Sequence, residues 1–237
     1  MNNAIDSSKL IDSRNQDLFE RVCSKFDVTF GPSFSGHHSI YTIGSRITFY
    51  IPDGVYCVDT FSHELLHGYI DYCGINITGN LKNTISGSNL LSKIFDTRLI
   101  EHITNSIAHT LMLPIFLERG FERAKFLSDY ENFKAEPGIM NQIGKLYKKG
   151  NQYNVEAINT FIGKYFAFKC DPNPAFDYHT ELGQLKKIDA QLYCILDNYF
   201  FQWADYDFTN DEFSRYREIN AGLYNNLKLW MSRKKFV

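Results

Sequence analysis

Residues 62–67 read Ser-His-Glu-Leu-Leu-His, and the pair His63 and His67 flanking Glu64 constrains this chain more than any other feature. From Thr60 to Tyr72 the pattern is helical, with Leu65, Leu66 and Ile70 on a packing side and Gly74 as the helix-ending glycine. On a helix, residues four apart share a face, so His63 and His67 can offer ring nitrogens to one ion. Glu64 projects beside them without ligating, where it can take a proton from a water polarised by that ion. The pattern predicts a zinc site with Glu64 as general base.

Two imidazoles leave such a site incomplete, because a catalytic zinc usually has three protein ligands and water. After His67 the chain runs Gly-Tyr-Ile-Asp-Tyr-Cys, without the glycine and final histidine of the extended His-Glu-x-x-His-x-x-Gly-x-x-His motif. The next strong amphipathic helix, from about Leu91 or Asp96 to Leu113 and limited by Pro114, carries Glu101, Asn105 and His109 at four-residue steps. Glu101 is the expected third ligand. Asn105 could orient a ligand histidine through its second ring nitrogen. His102 faces differently and ranks below Glu101, and His109 reads as an outer partner or as core.

Upstream, Ile40–Ile43 and Ile47–Ile51 are rich in β-branched and aromatic residues and predict two strands, closed by the turn Pro52-Asp-Gly54. Residues 8–27 predict a helix with Leu18, Phe19, Val22 and Phe26 inward, and Gly31-Pro-Ser-Phe-Ser-Gly36 reads as loop. Residues 76–90, dominated by Asn, Thr, Ser and Gly, read as a surface loop. Helices are expected near 152–168, 181–202 and 210–233, with a break at Asp171-Pro-Asn-Pro174. The fold class is α+β, with a small N-terminal sheet and active-site helix in residues 1–136 and a mainly helical part in 137–237.

Glu101-His-Ile-Thr-Asn105-Ser-Ile-Ala108-His-Thr-Leu111-Met-Leu-Pro114, following His-Glu-x-x-His, resembles the third-ligand helix of ImmA/IrrE-type zinc peptidases. The match covers about residues 40–115. His-Glu-Leu-Leu-His is also similar to the motif of bacterial effector and clostridial neurotoxin proteases, which use a later glutamate. These resemblances imply a zincin-like domain, a Zn2+ cofactor on His63, His67 and Glu101, and hydrolysis of a peptide bond in a selected protein or peptide substrate. A regulatory protein partner is compatible with the same reading. A catalytically silent zincin-like binding module is the competing class.

An oxyanion formed in that reaction needs a further donor. Tyr178, His179 and Arg98 are candidates, with His179 taken first as an isolated histidine beyond a Pro-rich loop. An extended substrate could add a strand alongside Ile47–Ile51. The neighbours His37 and His38 read as a solvated loop pair. The aromatic tail from Tyr193 to Phe208 reads as core or a partner-binding face.

A net charge of −2, from 25 basic and 27 acidic residues, gives no basic stripe for nucleic acid, and the basic stretch Lys228–Lys235 reads as a solvated helix end. No apolar run reaches signal-peptide or membrane-span length. The five cysteines are odd in number, scattered and never in Cys-x-x-Cys spacing, which predicts reduced, buried thiols in a cytoplasmic protein, export without a cleavable signal being the other route.

Overall fold

The computed structural model describes residues 5–211, 214–232 and 234–237. Among them lie ten α-helices and two three-stranded sheets, a mixed α and β chain as the α+β reading expects. It forms two compact units, one running to Ile75 and resuming over Met112–Glu131, the other comprising Asn76–Leu111 and Asn132–Val237. The boundary drawn from sequence at 136/137 falls inside the second unit.

The first unit begins with helix α1 (Gln16–Lys25), followed by β1 (Asp27–Ser33), β2 (Ser39–Ile43), β3 (Arg46–Pro52) and helix α2 (Val58–Tyr72). The strand order is β1-β3-β2, with β3 parallel to β1 and antiparallel to β2. Strand β1 lies where a loop was expected, because Gly31 and Pro32 read as breakers. An edge strand tolerates proline, since its missing N–H costs no ladder bond on the open side.

Strands β2 and β3 turn tightly through Gly44-Ser45, with Gly44 at φ +58°, a region that favours glycine. This pairs Ile40 with Phe49 and Thr42 with Ile47. Side chains alternate across the sheet, so Ile47, Phe49 and Ile51 are buried together. Phe49 and Phe30 meet Phe61 of α2 at ring distances of 5.1 and 6.1 Å, and Phe19 of α1 closes the cluster. Each such ring contributes about 1.5–3 kcal/mol by leaving water.

Two details fix α2. A side chain at Gly68 would put its Cβ 3.2 Å from Ile40 Cδ1, so glycine lets the helix approach β2 closely. At the other end the fully buried Asn15 donates to Leu10 O at 2.9 Å and to the Ser62 hydroxyl at 2.8 Å, while its carbonyl accepts the Asp12 N–H.

Next come α3 (Ile77–Ser86), α4 (Asn89–Ile94) and α5 (Thr97–Glu118). Helices replace the loop expected over 76–90. Asn76 accepts the Gly79 N–H and Ser88 the Leu91 N–H as caps, and Ile77, Leu81 and Ile85 recur every four residues as a buried face. Pro114 does not end α5, which continues to Glu118. Proline keeps a helical φ and removes one bond, at the Thr110 carbonyl, and the fully buried Met112 and Phe116 hold the helix through it.

The remainder of the second unit contains α6 (Ile139–Leu146), absent from the expectations, then β4 (Lys148–Lys149), β5 (Gln152–Tyr153), α7 (Val155–Lys169), α8 (His179–Ile188), α9 (Ala190–Ala204), α10 (Tyr216–Met231) and β6 (Lys235–Phe236). The helix expected over 181–202 is two helices, because Asp189 accepts the Leu192 N–H and starts α9 afresh. The other Asp189 oxygen accepts from Tyr147 OH and Trp230 Nε1–H, each at 3.1 Å. Among the described residues, no helix is long and apolar enough to cross a membrane. Cys23 and Cys194 are exposed, against the buried setting expected for the cysteines.

Candidate metal centre

Helix α2 carries His63 and His67 on one face, their rings 5.0 Å apart and edge-on at 74°. The ring of His63 stands edge-on to Phe126 at 4.8 Å, and Phe126 packs on Phe116 of α5 at 5.0 Å. His109 lies about two helical turns before Phe116 on that continuous helix, near the same face. The ligating atoms of His63, His67 and His109 all lie within 4.8 Å of one another. Tetrahedral zinc at an ordinary Zn–N length spaces its nitrogens about 3.4 Å apart, a spacing inside the 4.8 Å that encloses these atoms. Burial pushes His67 down to about 4, which keeps it in the neutral form that binds metals. Three largely buried imidazoles fit a zinc-class ion.

Glu64 points beside this cluster, with one carboxylate oxygen 3.9 Å from His63 Nε2. Burial pushes its carboxyl up to about 8, partly opposed by the nearby backbone N–H of Ile40. A bound cation would act in the same direction as that N–H and favour the carboxylate.

Strand β2 runs beside this face of α2. His38 Nδ1 and Thr60 Oγ1 are 2.8 Å apart, and Ile40 packs against α2 at Gly68. His38 is buried, not the solvated residue expected. Sequence reasoning passed over it because an isolated His-His pair has no period to mark an inward face.

The structure brings together His63, His67 and Glu64 as expected, but not Glu101. That residue is exposed on α5, eight residues from His109 and therefore about 12 Å away along the helix axis. His109, not Glu101, lies with the two histidines of α2. Asn105 is exposed as well, and His102 Nε2 lies 3.0 Å from the Gly163 carbonyl. The four-residue steps on α5 include His109, the residue that groups with His63 and His67.

Of the oxyanion candidates, Tyr178 is buried and its hydroxyl donates to Asp171 at 2.6 Å while accepting the Lys134 N–H. His179 is exposed at the start of α8, its backbone N–H donating to Asp177, and Arg98 is exposed near the start of α5. Strand β3 is central in its sheet, so no strand can be added alongside Ile47–Ile51.

Fold and site together define a mixed α/β chain with a buried three-histidine cluster able to hold a metal ion. No family model, curated protein or solved structure matches it.

Proposed function

We propose that this chain is a zinc-dependent peptidase of zincin-like arrangement, with His63, His67 and His109 as ligands and Glu64 as general base. The observation that carries the reading is the grouping of the three ligating atoms within 4.8 Å beside the buried carboxylate of Glu64. A three-histidine set supplies the protein ligands that hydrolytic zinc needs and leaves a fourth position for water. Zinc there would polarise a substrate carbonyl and lower the pKa of water to about 7.

The chain's own groups then divide the work. Glu64 accepts a proton from the attacking water and returns it to the leaving amine. Burial of the site limits competing solvent and strengthens each charge interaction. A protein or peptide substrate binds in extended form along the outer edge of β2, the strand that touches Glu64.

Two measurements test this. Metal analysis of the purified chain should give one zinc, lost in His109→Ala. Protein termini in cells making the native chain should include cleavages absent from cells making Glu64→Gln, while both proteins hold zinc. Equal termini in the two cell populations would leave only a zinc-binding module, and a chain that takes up no zinc would end the proposal.

A further inference from the structure

Strand β2 is the edge of its sheet, paired only with β3 among the described residues. Ile40 turns its N–H away from β3 toward Glu64, and outward-facing residues alternate in an antiparallel pair, so Thr42 presents its backbone the same way. The side chains alternate too. Ile40 and Thr42 lean toward α2, while Tyr41 and Ile43 stand on the opposite face, 59% and 64% exposed. Natural edge strands are usually guarded by charge or proline, and neither interrupts Ser39–Ile43. On the same face of β3 lie the uncharged Thr48 and Tyr50, and, across from Ile43, Arg46, which is ion-paired with Asp27.

We infer that Tyr41 and Ile43 select the substrate, and that it is an extended segment with aromatic or β-branched residues at alternate positions. The inference rests on the peptidase reading above, because it is the packing of Ile40 against α2 at Gly68, one turn beyond Glu64, that sets this edge beside the proposed hydrolytic centre. The occupant is a peptide strand because the outward backbone groups of Ile40 and Thr42 are bonded to no other strand among the described residues, a row that another extended backbone matches. Its alternate side chains fall directly across from Tyr41 and Ile43. Aromatic and β-branched pairs at such cross-strand positions are favourable, while polar or charged residues there leave two apolar groups in water.

The test uses the full chain with zinc and the Glu64→Gln substitution, so that bound peptide is not cut. One synthetic ten-residue peptide alternates Thr with Val and Phe, and a second carries Ser in place of the Val and Phe. The first should bind more tightly, and Tyr41→Ser with Ile43→Ser should weaken it by roughly tenfold, the sum of two cross-strand pairs. Tyr41→Phe should restore the preference. The exposed positions of both residues leave folding intact, which circular dichroism checks.

Equal binding of the two peptides, or indifference of the first to the double substitution, overturns the inference. So does a dimer that the double substitution dissolves while peptide binding stays unchanged. Zinc uptake is measured on the same samples. A chain that takes up no zinc yet discriminates the peptides defeats the peptidase reading alone, whereas a zinc-loaded chain blind to the pattern defeats the selection alone.

Discussion

Asn15 donates a 2.8 Å hydrogen bond to the hydroxyl of Ser62, the residue immediately before His63, and both side chains are fully buried. The N-terminal segment is thereby tied to the turn of α2 that carries the motif. Asn15→Ala leaves Leu10 O, the Asp12 N–H and Ser62 without that partner. The expected loss is about 1–3 kcal/mol, read as a lower urea midpoint at unchanged slope. Zinc affinity should fall as well, because His63 loses its fixed bearing.

His109 and Glu101 make opposite predictions on one helix. His109→Ala should weaken zinc by more than about 100-fold in chelator competition, a loss larger than that of an outer-shell partner. Glu101→Ala should leave zinc affinity unchanged, since the residue is exposed and about two turns away. Zinc loss from Glu101→Ala with none from His109→Ala would restore the glutamate as ligand.

Ile40→Pro separates the two roles of β2. The N–H it removes faces the open edge, so pairing with β3 survives. Glu64 loses its donor. Peptidase activity should drop roughly 10-fold or more, in the range of a lost catalytic hydrogen bond, with zinc content retained.

His38 gives the metal-free chain a pH dependence with a definite sign. Burial holds its imidazole below its ordinary value of 6.5. Between the lowered folded value and 6.5 the unfolded chain binds more protons than the folded one, so stability is complete above about 6.5 and falls as pH drops below it. His38→Gln should flatten the decline of the urea midpoint between pH 7.5 and 5. His67 adds a decline of the same sign to both chains, which cancels in the comparison.

The sequence made α2 legible because two periods coincide there, the four-residue step of His63 and His67 and the apolar step of Leu65, Leu66 and Ile70. Strands β2 and β3 were legible from their β-branched residues. Strand β1 was not, because Gly31 and Pro32 are poor strand formers that only an edge position excuses. Helices α3 and α4 were hidden by polar residues around the sparse apolar step Ile77, Leu81, Ile85. Pro114 misled for the opposite reason, since packing of Met112 and Phe116 outweighs one lost bond. Which of Glu101, Asn105 and His109 would group with the α2 histidines was not legible, because all three share the four-residue step on α5.

The tight Gly44-Ser45 turn has a consequence for how this chain can change. Because side chains and backbone groups alternate along a strand, one inserted residue at that turn would slide β2 by a single step. Tyr41 would turn inward, and Ile40 would carry its N–H toward β3. An insertion some twenty residues before the nearest histidine of the cluster would thus reverse which face of β2 meets α2.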